Sequence, residues 1–157
     1  MSIERVRSYF KTLGIEERIL EFDVSSATVE LAAKALNTEG KRIAKTLSFL
    51  VKEKPVLVVT AGDAKIDNKK YKTFFGAKAK MLTPDRVTEL IGHAVGGVCP
   101  FAVNDGVDVF LDESLKRFET VFPACGSSNS AIELTIPELE KYSGFKEWVD
   151  VCKLPEE

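Results

Sequence analysis

Ile43-Ala44-Lys45-Thr46-Leu47-Ser48-Phe49-Leu50-Val51, followed across Lys52-Glu53-Lys54-Pro55 by Val56-Leu57-Val58-Val59-Thr60, is the stretch on which the fold turns. Two apolar, β-branched runs around a short polar interval read as a β-hairpin, with strands over 43–51 and 56–60 and Lys54-Pro55 in the turn. Side chains alternate along a strand, so Ile43, Lys45, Leu47, Phe49 and Val51 share one face. That puts an ammonium in an apolar row. Such a lysine snorkels out, finds a partner or serves a substrate, unless the strand starts at Thr46 and Lys45 is a solvated flank.

Upstream, Ile3, Val6, Phe10 and Leu13 repeat at helical spacing until Gly14, Ile19–Asp23 reads as a short strand, and Val29, Ala32, Ala33 and Leu36 mark a second helix. Downstream, a helix over Asp67–Phe75 closes at Gly76, a strand covers Lys78–Leu82, and Thr83-Pro84 opens a helix that ends at Gly92. Strands follow over Val107–Leu111, Thr120–Ala124 and Ala131–Thr135. Thr135 and Glu138 form a capping box for a last helix. Strands and helices mix without regular β-α-β alternation, which favours an α/β chain of the α+β type with a mixed sheet flanked by helices.

Composition sets the limits. At 157 residues the chain fits one domain over 1–157, and 45% hydrophobic with 29% charged residues is ordinary globular material. A formal net charge of -2 excludes a globally basic nucleic-acid binder and leaves room for a local basic patch. Cys99, Cys125 and Cys152 form no close pair and His93 is the only histidine, so neither a metal site nor another cofactor is expected. Lone thiols, no signal-peptide pattern and no membrane-length apolar run fit a soluble cytoplasmic protein.

Three further stretches could carry chemistry. Gly92-His93-Ala94-Val95-Gly96-Gly97-Val98-Cys99-Pro100-Phe101 brings glycines whose N–H groups can approach a ligand oxygen, although a plain helix-to-strand turn uses glycine equally. Cys125-Gly126-Ser127-Ser128-Asn129-Ser130 lines a pocket or forms a hairpin turn, and a Cys125 nucleophile would need His93 as its base. Lys65, Lys69, Lys70, Lys72, Lys78 and Lys80, interleaved with Tyr71, Phe74 and Phe75, either grip phosphates or form a solvated helix face.

Taken in order, Ile43-Ala44-Lys45-Thr46-Leu47, Gly62-Asp63, Gly92 to Phe101 and Gly126 to Leu134 resemble the YbaK/ProX family of aminoacyl-tRNA deacylases, related to the editing domain inserted in bacterial prolyl-tRNA synthetases. The resemblance implies a mixed, partly closed sheet surrounded by helices. It implies Lys45 as the essential lysine, with the Gly96 and Gly97 backbone holding the aminoacyl ester. Phe22 falls at an aromatic pocket position, and Thr46, Val95, Ala124, Gly126 and Ser127 fall around the pocket. The chain departs from the family at Ala124-Cys125-Gly126, where a serine-glycine-glycine stretch is usual, and at Ala131, where an aspartate is usual.

The implied activity is hydrolysis of a small mischarged aminoacyl-tRNA, with alanine or cysteine on tRNA(Pro) ahead of serine. The implied partners are the aminoacyl-tRNA acceptor end, gripped by Lys69, Lys70 and Lys72, and a synthetase as a second candidate, with neither membrane nor DNA. A non-catalytic aminoacyl-tRNA or synthetase-binding module and a hydrolase of another small acyl ester are the alternatives.

Overall fold

The computed structural model describes residues 2–155, Ser2 without its side chain. The expected domain bounds 1–157 thus include Met1, Glu156 and Glu157, which lie outside the described residues. Helix α1 (Ser2–Thr12) buries Val6 and Phe10 completely and gives way to Gly14, whose φ of +76° suits a residue without a Cβ. Strand β1 (Leu20–Glu21) is shorter than the expected 19–23. Helix α2 (Val29–Leu36) starts where the Thr28 hydroxyl accepts from the Leu31 N–H at 3.2 Å.

The hairpin forms as strands β2 (Ile43–Val51) and β3 (Lys54–Ala61). Its turn is Lys52-Glu53, both at positive φ (49° and 69°), and not Lys54-Pro55 as expected. Two left-handed residues give the tight turn whose twist matches the strands. Pro55 pairs with Leu50, whose N–H points away from β3 to the Lys80 carbonyl, so the missing proline N–H breaks no rung between them. Strand β4 (Lys65–Ile66) and helix α3 (Asn68–Phe75) follow, with the Asp67 carboxylate accepting from the Lys69 and Lys70 N–H groups.

The expected strand at 78–82 reduces to a bridge between Met81 and Phe49. Helix α4 (Pro84–Ile91) then precedes strands β5 (Asp108–Asp112) and β6 (Thr120–Pro123). The run 131–135 breaks into β7 (Ser130–Ala131) and β8 (Leu134–Thr135). These pair with different strands, β7 with β1 and β8 with β6. Helix α5 (Ile136–Ser143) carries the expected reciprocal Thr135–Glu138 cap, and strands β9 (Glu147–Val149) and β10 (Cys152–Lys153) close the chain.

Six strands make one curled, mixed sheet in the order β8-β6-β2-β3-β5-β9, and a mixed sheet with flanking helices is what the sequence and the resemblance implied. β2 and β3 are antiparallel, whereas β2–β6, β3–β5 and β5–β9 are parallel. Leu47, Val58 and Phe110 stand side by side across the sheet. Here α3 packs down, Phe49 lying 5.0 Å from Tyr71 and Phe110 5.2 Å from Phe75 between ring centroids. Such pairs add about 0.5–1.5 kcal/mol each beyond the area they bury. A smaller cluster of Ala32, Ile43 and Phe122 fixes α2 over the other end of β2. No helix among the described residues is long and apolar enough to cross a membrane.

Candidate functional site

The site grows from an interruption in the sheet. β6 pairs with β2 only at Ile43 and Ala44, and the Lys80–Leu82 segment rejoins β2 at Ser48 and Leu50, where Leu82 N–H donates to the Ser48 carbonyl at 3.1 Å. Ser48 and Leu50 therefore turn their peptide groups away from β3. Alternation turns the Thr46 N–H and C=O the same way, into the gap. A cavity of about 420 Å³ opens there. Its walls come from Ser26–Val29 at the start of α2, from Met81 to Val87, from Val95, Gly96 and Val98, and from β6 and β7.

The floor is apolar, built on Ile43, Ala32, Phe122 and the buried Ala131. Lys45 is the only ionisable side chain in the lining. It belongs to strand β2 and is not a flank, so the apolar-row anomaly is real. Its Nζ donates to the Ala64 carbonyl at 2.5 Å, with the Gly62 carbonyl at 3.5 Å. Burial pulls the ammonium below its ordinary pKa, while Cys152, Asp63 and Glu30 act to raise it and Lys65 lowers it further. Cys152, itself pushed up to about 12 by burial, is a neutral thiol at pH 7, which leaves Asp63 and Glu30 as the anions that count.

The expected site residues divide. Lys45, Thr46, Val95, Gly96 and Ala124 line the cavity together. Thr46 Oγ1 is buried and has no hydrogen-bond partner among the described residues. The Gly97 N–H is already spent on the Ala94 carbonyl at 3.0 Å, which removes it from the expected pair of donors. Gly97 matters by its size: a Cβ there would sit 2.5 Å from the Ser127 nitrogen and 2.6 Å from the Gly126 carbonyl carbon. Gly126 and Ser127 back the glycine loop instead of lining the cavity.

Phe22 is likewise off the lining, and its main chain is zipped to Asn129, N–H to carbonyl at 2.8 Å and carbonyl to Nδ2 at 2.9 Å. Lys69, Lys70 and Lys72 lie on α3, outside the lining. Lys70 is tied to Asp150 at 3.0 Å and to the Cys152 carbonyl at 2.9 Å. Sequence reasoning missed the α2 approach and the Met81–Val87 wall, whereas Ser130 belongs to the 125–130 stretch it singled out. The two missed walls are brought in by tertiary packing and carry no local motif.

Cys125 and His93 do not form a nucleophile–base pair. Burial drives the Cys125 thiol well above its ordinary value, and His93 instead lies against the Phe101 carbonyl (2.6 Å) and Cys99 (3.6 Å). Among the described residues no group of three or more His, Cys, Asp or Glu side chains could hold a metal ion. What remains is one cation set in apolar walls beside an open main-chain edge, an arrangement suited to holding and polarising a small ester.

Comparison with known proteins agrees with that class. Residues 24–142 match the family model of the aminoacyl-tRNA editing domain. The chain is 54% identical over 154 residues to YwhH, an uncharacterized protein of Bacillus subtilis (strain 168), covering 98% of both chains. It is 27% identical over 125 residues to the proline–tRNA ligase of Lactiplantibacillus plantarum, covering 79% of this chain and 22% of the ligase, so it spans about a fifth of that enzyme. A crystal structure of a candidate trans-editing enzyme for prolyl tRNA synthetase superposes with a TM-score of 0.86 at 29% identity, covering 97% of each chain. The hypothetical protein APE2540 gives 0.83 at 28% identity, covering 95% of this chain and 99% of that one. The chain belongs to the aminoacyl-tRNA editing domain family, a family of deacylases and hence of hydrolases.

Proposed function

We propose that the protein acts in the cytoplasm as a freestanding trans-editing deacylase, one domain over residues 1–157, that hydrolyses alanine or cysteine from the acceptor end of tRNA(Pro). The carrying observation is Lys45, the single ionisable residue among the described residues that line a mainly apolar cavity. In this reading the aminoacyl side chain rests on the floor of Ala32, Ile43 and Phe122. In a cavity of about 420 Å³ size alone does not separate alanine from proline, so selection rests on contacts at that floor, a methylene being worth ~1–3 kcal/mol. The Thr46 main-chain edge takes the polar groups of the amino acid.

Chemistry then needs charge stabilisation more than a protein base. The lining holds no carboxylate, imidazole or thiol. A water attacks the ester carbonyl carbon, and its proton passes through the terminal ribose hydroxyl to the departing ribose oxygen, giving free amino acid and tRNA. The negative charge that develops on the carbonyl oxygen is met by the Lys45 ammonium and the Gly96 N–H, fixed donors in a site shielded from bulk water. Lys69 and Lys72 meet tRNA phosphates, and a synthetase is the candidate partner that hands over the substrate.

The test is deacylation of alanyl-, cysteinyl-, seryl- and prolyl-tRNA by catalytic amounts of protein. Turnover of one small aminoacyl-tRNA with prolyl-tRNA spared is expected. Binding of tRNA with no turnover of any member would instead assign a non-catalytic module, and equal turnover of free amino acid esters would assign a general small-acyl hydrolase.

A further inference from the structure

The Gly62-Asp63 pair carries no role in the chemistry above, yet its surroundings are specific. Gly62 and Ala64 supply the two carbonyls facing the Lys45 ammonium. Those carbonyls sit on the turn after β3, which closes on itself through Ala64 N–H to the Ala61 carbonyl at 3.0 Å. Glycine is required at 62 because a Cβ would fall 2.0 Å from the Gly40 carbonyl oxygen. Asp63 then turns outward into a two-pronged ion pair with Arg117, at 2.6 and 3.1 Å. A fork against a carboxylate fixes direction as well as distance.

Arg117 is anchored in its turn. Its Nε donates to the Ser114 carbonyl at 2.9 Å, and the Ser114 hydroxyl accepts from the Ala61 N–H at 3.1 Å. The Ser114 N–H itself donates to the buried Asp112 carboxylate at 2.9 Å. The short 3₁₀ turn Glu113–Arg117 thus grips the 61–64 turn at both ends, and the 61–64 turn grips Lys45.

We propose that the Asp63–Arg117 ion pair is a positioning device that, through the Gly62 and Ala64 carbonyls, aims the Lys45 ammonium at the reacting ester. The proposal rests on the reading of Lys45 as the group that meets the substrate carbonyl. The titratable groups that act electrostatically on that ammonium are Cys152 on β10, Asp63 on the 61–64 turn, Lys65 on β4 and Glu30 on α2. Asp63 is the anion the proposal removes. Without it the ammonium is less favoured, its pKa falls, and activity that needs the ammonium disappears at lower pH.

The experiment compares Asp63→Asn, Arg117→Lys, Arg117→Ala, the Asp63→Asn/Arg117→Ala double variant and Lys45→Ala in the full chain. It reads kcat, KM, the pH profile and the unfolding temperature. Misplacing a reacting group by about 1 Å can cost a hundredfold. The expected result is a kcat loss of about 10- to 100-fold for Asp63→Asn and Arg117→Ala, with KM within about twofold. The double variant should be no worse than the poorer single, as for residues that act as one unit. Arg117→Lys should recover part of the rate, and the basic limb of the Asp63→Asn profile should move to lower pH, which a merely structural residue would not cause.

Wild-type kcat in the Asp63 and Arg117 variants while Lys45→Ala is inactive would overturn the positioning role alone. So would losses that multiply in the double variant, or losses that follow the unfolding temperature with the basic limb unmoved. Full activity in Lys45→Ala would remove the reading beneath it as well.

Discussion

Substituting Gly97→Ala tests how tightly the glycine loop is built onto the 126–127 segment. The new Cβ would lie 2.5 Å from the Ser127 nitrogen, whereas ordinary contacts begin at 3.4 Å, so the two main chains must part by about 0.9 Å. Both neighbours are backbone, so no side chain can swing aside. Overpacking of this kind costs about 1–3 kcal/mol. At roughly 2–4 °C per kcal/mol for a chain of this size, the unfolding temperature should fall by about 2–12 °C.

Activity should suffer more than stability does, since a shift near 1 Å at the neighbouring Gly96 N–H is enough to cost about a hundredfold. Gly96→Ala is the informative companion. Its Cβ would meet Ala27 and Ser128 at 3.4 and 3.5 Å, so only the backbone strain at φ +91° opposes it. Thermal unfolding and deacylation rates measured side by side decide the matter. Gly97→Ala with wild-type unfolding temperature and wild-type rate would refute the reasoning.

Other perturbations test separate parts of the molecule. Thr46→Val removes a buried hydroxyl without a partner among the described residues, so the unfolding temperature should hold or rise, and kcat/KM should stay within about twofold because the hydroxyl is not exposed to the cavity. An unfolding temperature lowered by several degrees would show that the hydroxyl serves folding instead. Glu138, hydrogen-bonded by Arg18 and held down to about 2, is depressed below its unfolded value, so its stabilisation is full above pH ~4.5 and is lost as pH falls toward 2.

Glu138→Gln should therefore cost about 1 kcal/mol at pH 7, discounted for the partly exposed Arg18, and only a small fraction of that at pH 2. A penalty equal at both pH values would count against that pairing. Lys69→Ala combined with Lys72→Ala should weaken tRNA binding and flatten the slope of log K against log salt by about 1–2. An unchanged slope would take α3 out of the tRNA surface.

What the sequence disclosed follows the range of the forces involved. Local signals are legible: Asp67 and Gly76 bound α3, Thr135 with Glu138 caps α5, and the alternation of 43–51 narrowed Lys45 to an apolar-row position or a flank, of which the structure shows the first. These depend on neighbours a few residues apart. The hairpin turn was misplaced because Lys52 and Glu53 adopt positive φ that their identities do not advertise. Phe22 lies off the lining, and the Ser26–Val29 and Met81–Val87 walls were missed, for a common reason. The cavity exists only because β6 leaves β2 after Ala44 and Leu82 returns at Ser48, a gap made by segments far apart in sequence. The bond from the Gly97 N–H to the Ala94 carbonyl is hidden from the sequence for the same reason, since it is set by the loop's folded path.

The most direct measurement is the rate at which Lys45→Ala hydrolyses whichever small aminoacyl-tRNA the wild type turns over, with tRNA binding and unfolding temperature recorded on the same preparation. Loss of hydrolysis by about a hundredfold or more, with binding and folding retained, is the predicted result for the cation that meets the reacting carbonyl. Hydrolysis at the wild-type rate would contradict the account.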